Sequence, residues 1–252
     1  MSLILVVMAC GAVVATSAAG LAQPGGRECN GTFSGPQPNI VVPEGADCRL
    51  RNAEVNGNVE VREGGGLIVE GSEISGNVRG SRAEYWGFTD DDNDVPSTIG
   101  GNVEFVGTTS NPGAGGGSMS THNFACDATE FGGNFSVRGS SAAADVLFGA
   151  AHTGNMGEMV AAMECDKNQD AGGNIVEGNY ETLGNEGEVR QRYNDVSGMW
   201  TFVNNVGGMM DPKDVIENDV GRRMTCHGNV PEPARRNNTE GEEAPVPDQC
   251  DP

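Results

Sequence analysis

The sequence predicts an all-β chain folded as a right-handed parallel β-helix, a solenoid with loop insertions, and three observations carry that prediction. The first is a repeated triplet. Gly-Asn-Val stands at Gly57-Asn58-Val59, Gly76-Asn77-Val78 and Gly101-Asn102-Val103, then varies as Gly133-Asn134-Phe135 and Gly173-Asn174-Ile175. A small-polar-apolar unit recurring every twenty or so residues marks a coil that needs its neighbours for a core. The second is a set of short β-rich runs punctuated by Gly and Asn: Asn39-Ile40-Val41-Val42, Val59-Glu60-Val61, Leu67-Ile68-Val69 and Val103-Glu104-Phe105-Val106. Three such runs fit one turn of a parallel β-helix. The third is alternation within each run, the period-two pattern of a strand with one buried face.

Each element then receives a place. Val59, Val61, Val103, Phe105, Phe135 and Val137 are expected to point inward, and Glu60, Glu104 and Ser136 outward. Equivalent residues would stack about 4.8 Å apart along the axis. Asn58, Asn77, Asn102, Asn134 and Asn174 are expected to form one hydrogen-bonded ladder at a corner. The glycine before each fits a position of positive φ or close backbone approach. The outward column after the triplets reads Glu60, Arg79, Glu104, Ser136, Val176, and the last member places Glu177 inward, against the alternation.

Spacings between triplets grow as 19, 25, 32 and 40 residues, so insertions lengthen toward the C-terminus. They include Asp90–Pro96, the Gly- and Ser-rich Thr108–Thr121, and Gly154–Met163. The last is a candidate short helix with Met156, Met159, Val160 and Met163 on one face. Asn205-Val206-Gly207-Gly208 reads as a degenerate coil. Residues 231–252, rich in Pro, Asn and Glu, read as an extended tail.

The chain opens on an apolar stretch from Leu3 to Ala22 with no charged residue, closing on Ala18, Ala19, Gly20 and Ala22. This is the pattern of a secretory signal peptide over residues 1–22, cut after Ala22, with a retained anchor as the other reading. The expected β-helix domain is 23–230. No later segment is apolar enough to span a membrane. The net charge of −21 lies wholly outside the leader, a balance that repels nucleic acid and anionic membranes and attracts divalent cations. Six cysteines remain beyond the leader: Cys29, Cys48, Cys126, Cys165, Cys226 and Cys250. An even number in an exported chain points to disulfides, and proximity in sequence favours Cys29–Cys48, Cys126–Cys165 and Cys226–Cys250 among the possible pairings.

The ends carry a family resemblance. Cys29-Asn30-Gly31-Thr32 with Val41-Val42-Pro43-Glu44-Gly45-Ala46-Asp47-Cys48 resembles the opening of small exported bacterial β-helix proteins of unassigned function. Cys226-His227-Gly228-Asn229-Val230-Pro231-Glu232-Pro233, with Asn237-Asn238-Thr239 and Gln249-Cys250, is similar to that group's C-terminal signature. The resemblance implies the fold and no residue-level activity, and the long insertions depart from the group's compact repeat. More distantly, the architecture resembles the pectin-lyase-like superfamily, which implies fold alone.

Candidate chemistry is sparse. Asp90, Asp92 and Asp94 alternate like the first ligands of a calcium loop, but Val95 stands where glycine is expected and Gly101 where a bidentate glutamate belongs. They are a calcium candidate set against a solvated loop tip. Tyr85 and Trp86 are adjacent on a strand and must face opposite ways, so one is a candidate platform for a sugar ring unless an insertion covers it. His122, Cys126 and Asp127 are close in sequence, but a disulfide at Cys126 is the simpler reading. No Gly-x-Ser-x-Gly, HExxH or phosphate loop is present. The expectation is a secreted, non-enzymatic structural or adhesive protein at the cell surface, in the periplasm or outside the cell. It needs no cofactor; calcium is the candidate ion, and extracellular polysaccharide or a cell-surface component is the candidate partner through its loops. The alternative is a polysaccharide lyase or glycoside hydrolase of the pectin-lyase-like type.

Overall fold

The computed structural model describes residues 26–109, 122–126, 128–141, 145–149, 173–187, 189–207, 213–216, 218–236 and 239–240. The leader, Cys165, Cys250, most of the tail and the candidate helix of Gly154–Met163 lie outside them. The described residues are all-β, without a helix, and every strand pairing is parallel.

One sheet has nine strands: Arg27–Glu28, Ile40–Val42, Val59–Val61, Val78–Ser81, Val103–Val106, Phe135–Arg138, Tyr180–Leu183, Trp200–Val203 and Met224–His227. The other has sixteen and divides at the long strand Asp47–Val55. The first part of that strand pairs with Gly66–Glu70, and its end pairs with Glu73–Ile74. Three ladders result. The second continues through Tyr85–Thr89, His122–Ala125, Asp145–Gly149, Val189–Arg192, Lys213–Ile216 and Ala234–Arg236. The third continues through Thr98–Ile99, Glu130–Phe131, Ile175–Val176, Asp195–Val196, Asp219–Val220 and Thr239–Glu240. Successive strands visit the first, second and third ladders in turn and return to the first one rung further on, an arrangement consistent with a solenoid.

A single apolar cluster fills the space between the ladders, and alternation determines its membership. Val59, Val61, Val103, Phe105, Phe135 and Val137 are buried, while Glu60 is exposed and Glu104 and Ser136 are half-buried. Large and small residues compensate from rung to rung. Trp86 shares its rung with Gly80, and a Cβ at Gly80 would sit 2.4 Å from the Phe105 ring, which stacks on Trp86 at 5.1 Å. The outward column runs Glu60, Arg79, Glu104, Ser136, Glu181, Thr201. Glu181 therefore takes the place expected for Val176. Val176 is fully buried, whereas Ile175 and Glu177 are exposed, so the alternation does not break there.

The corners use asparagine in two ways. An exposed ladder runs along the corner before the first ladder. The N–H groups of Asn58, Asn77, Asn102, Asn134, Asn179 and Met199 each donate to the Oδ1 of the asparagine one rung back, at 2.8–2.9 Å. Asn179, not Asn174, is its fifth rung. The glycines in front of these asparagines are not at positive φ. They stack so closely that a Cβ at Gly101 would lie 2.5 Å from the Gly76 carbonyl oxygen.

Asn174 belongs to a different, buried ladder. Its N–H donates to Asn194 Oδ1 (3.2 Å), and the Asn194 N–H donates to Asn218 Oδ1 (3.0 Å). Their Nδ2 groups donate to the carbonyls of Ala125, Phe148 and Gln191. Asn185, Asn205 and Asn229 repeat this scheme at the corner after the first ladder, with Nδ2 donating to Val137, Thr182 and Phe202. In earlier rungs hydroxyls fill the equivalent places: Ser72 Oγ accepts from the Ala53 N–H, and Ser97 Oγ from the Ser72 N–H. Many of these inward polar residues follow a residue in the left-handed region, such as Gly184 (φ 62°), Tyr193 (φ 60°) or Asn204 (φ 54°). Asn205, expected in a degenerate coil, thus sits in a regular one.

Candidate functional site

Outward-facing residues of the second ladder assemble a cluster of polar and charged side chains. Asp47, Arg49 and Arg51 alternate along Asp47–Val55, and the parallel register places Gly66 and Tyr85 in line with Asp47, and Glu70 in line with Arg51. Gly66 has no side chain, so the Tyr85 ring crosses it; a Cβ there would lie 2.2 Å from the ring. The Tyr85 hydroxyl then donates to Asp47 Oδ1 at 2.8 Å. Ile68, Phe124, Cys126 and Leu147 pack with the ring on the same outer face. Arg49 Nη1 lies 3.0 Å from Glu70 Oε1, and Arg51 pairs with both Glu70 and Asp92.

Electrostatics follow from this packing. Burial, and then the hydrogen bond and charge of Asp47, push the Tyr85 phenol above its ordinary range. Partial burial, with Asp47 nearby, raises the Glu84 carboxyl, whose Oε1 is buried without a hydrogen-bond partner. A carboxyl raised in this way keeps its proton to a higher pH than a free glutamate, which suits it to proton transfer. None of Asp47, Arg49, Glu70 or Glu84 was singled out from sequence. The signal was available: Arg51 and Glu70 are separated by 19 residues, the first triplet spacing.

Tyr85 and Trp86 do face opposite ways. Trp86 is fully buried, packed on Phe88, Phe105 and Phe135, and offers no surface to a sugar. Tyr85 is half-buried, and its hydroxyl is engaged. The acidic loop disperses its members. Asp90 is buried beside the Thr89 hydroxyl, Asp92 is exposed and paired with Arg51, and Asp94 is exposed at φ 58°. Asp91, not in the alternating set, holds the loop together. Its carboxylate accepts from the Val95 and Asn93 N–H groups and the Asn93 amide, and these bonds lower its pKa, the Val95 bond most. Among the described residues, no group of three or more His, Cys, Asp or Glu is placed to hold a metal ion.

A second feature lies on the first ladder. An open groove of about 540 Å³ is bordered by Glu60, Arg62, Glu63, Arg79, Arg82 and Glu104. Arg62 Nε is 3.3 Å from Glu60, and Arg82 pairs with Glu63, so the groove is lined by interlocked charges of both signs. Cys29 and Cys48 form a disulfide across 19 residues at the start of the described chain. Cys126 and Cys226 are each engaged in a disulfide of their own, which removes Cys126 as a nucleophile. No helix among the described residues is long and apolar enough to cross a membrane. Comparison with protein-family models, with curated proteins and with solved structures finds no match.

Proposed function

We propose that the chain is a secreted right-handed parallel β-helix with a structural or adhesive role at the cell surface or outside it. Three parallel ladders visited in rotation support the β-helix, and the strong preference of parallel crossovers for one hand supports its handedness. The observation that carries the functional reading is the charged groove of the first ladder. Its Glu and Arg side chains recur from rung to rung and offset one another's charge in a chain of net charge −21. A row of donors and acceptors repeating along the axis suits contact with an extended, hydroxyl-rich polysaccharide, and it does not concentrate charge on one reacting atom.

A second reading rests on Asp47 and Glu84. Glu84, its carboxyl raised by partial burial beside the Asp47 carboxyl, is a candidate general acid for a glycoside hydrolase. One screen separates the two: the secreted protein on a glycan array and against soluble polysaccharides, with and without Ca²⁺. Binding without turnover supports the scaffold. Turnover lost in Glu84→Gln establishes the enzyme, and neither binding nor turnover removes polysaccharide as the partner.

A further inference from the structure

The interior is apolar over most of its length; in the earlier rungs the Trp86 indole Nε1 and the Thr108 hydroxyl are buried without a partner, whereas Asn123 is satisfied. Asn123, fully buried, accepts the Trp86 N–H through Oδ1 at 3.2 Å. The rung that begins at Tyr180 and its neighbour gather several such unpartnered atoms. Tyr180 and Thr182 are buried in the strand Tyr180–Leu183, and Gln191 in Val189–Arg192; none is more than 1 % exposed. One rung on, Trp200 lies in register with Tyr180, and the two rings meet edge to face at 5.3 Å. Tyr180 Oη, Thr182 Oγ1, both amide atoms of Gln191 and Trp200 Nε1 are buried without a protein hydrogen bond. The Gln191 side chain faces the Tyr180 hydroxyl without reaching hydrogen-bond geometry.

Five such atoms in two adjacent rungs cannot be left bare, because a buried polar group without a partner loses its full hydration. The neighbouring corner cannot supply what they lack. Asn185 Nδ2 already donates to Val137 and Asn205, and Asn205 Nδ2 to Thr182 and Asn229. A direct Tyr180–Gln191 bond would still leave Thr182, Trp200 and one amide atom unpaired. Tyr180 is held neutral by burial, so its hydroxyl both donates and accepts.

We propose that the Tyr180 rung encloses an internal water site, in which ordered water bridges Tyr180 Oη and the Gln191 amide and reaches Thr182 Oγ1 or Trp200 Nε1. Buried water characteristically makes two to four hydrogen bonds to groups of this kind. The bridge adds an interior side-chain link between two rungs that the Asn185–Asn205 corner already ties. Water-selective NOE and ROE spectra of the ¹⁵N-labelled full chain test this at the Gln191 side-chain amide and the Trp200 indole N–H. Long-lived water cross-peaks are expected at Gln191 in the wild type, and their loss in Tyr180→Phe. Thr182→Val, nearly equal in shape, is the second variant should Tyr180→Phe not fold, and it is expected to weaken the same peaks. Absence of water peaks at both reporters in the folded wild type, or peaks unchanged in the variants, overturns the proposal.

Discussion

At Tyr85 and Trp86 the two-residue strand period sends one ring into the interior and the other across the outer face. Trp86 touches three phenylalanines, and no other large side chain can refill its place, so Trp86→Ala should cost about 3–5 kcal/mol in chemical denaturation. Tyr85 depends on a residue it does not adjoin in sequence. Gly66→Ala would drive a Cβ into the ring and break the bond to Asp47. The outcome to look for is a phenol that titrates nearer the ordinary tyrosine value by ultraviolet absorbance, with the fold retained. Nearby carboxyl groups respond oppositely to pH. Glu84 has a folded pKa above its ordinary 4.5, so its contribution to stability is full below about that pH and lost as pH rises through the raised value. Glu84→Gln should therefore gain a few tenths of a kcal/mol at neutral pH, a small effect because the group is largely solvated, and nothing in acid. Asp91, lowered from 3.8, stabilises above that value and loses its effect as pH falls through its folded pKa. Asp91→Asn should flatten the acid limb of a stability–pH curve.

The asparagine ladders are the elements that distinguish one rung's surroundings from another's. Asn194 is buried, and its side chain accepts from one rung while donating to the Phe148 carbonyl and to Asn218. Truncating it leaves a buried N–H and a carbonyl unpaired, so Asn194→Ala should cost on the order of 2–4 kcal/mol. Asn77 makes a similar pattern in the exposed ladder, where water can replace it, and Asn77→Ala should cost less than about 1 kcal/mol. Equal losses at the two positions in urea denaturation would refute the distinction. The same contrast explains what was legible in the sequence. Alternation in Val59-Glu60-Val61 placed inward and outward residues correctly because each strand has one wet face and one dry face. Gly173-Asn174 was misplaced because two corners use the same dipeptide for opposite purposes: one for stacked backbone in the open, the other for an inward cap. Gly178-Asn179-Tyr180, with an aromatic third member like Gly133-Asn134-Phe135, is the true continuation. The site was harder to foresee. Its parts, Asp47, Glu70 and Tyr85, are joined by rung register, and insertions of unequal length obscure register in the chain.

At the scale of the whole molecule, the described residues stack like charges along the third ladder. The outward column of the third ladder runs Glu54, Glu73, Thr98, Glu130, Ile175, Asp195, Asp219. Glu54 and Glu73 face each other directly, both exposed, at the spacing of neighbouring strands. Like charges in that position destabilise a sheet, and the net charge of −21 adds a long-range repulsion of the same sign. Salt screens both, with a Debye length of about 10 Å at 0.1 M. The thermal midpoint should therefore rise as NaCl increases from about 0.01 to 0.15 M. Ion pairs on the first ladder, such as Arg138 with Glu181 at 2.8 Å, weaken over the same range, but surface pairs each contribute little, so repulsion decides the sign. Glu73→Gln isolates the column from the background. It should raise the midpoint at low salt and reduce its salt dependence, whereas Glu60→Gln, which breaks the pair with Arg62, should not. A midpoint that falls with added salt in the wild-type protein would mean that attractive pairs, not the stacked carboxylates, dominate its surface.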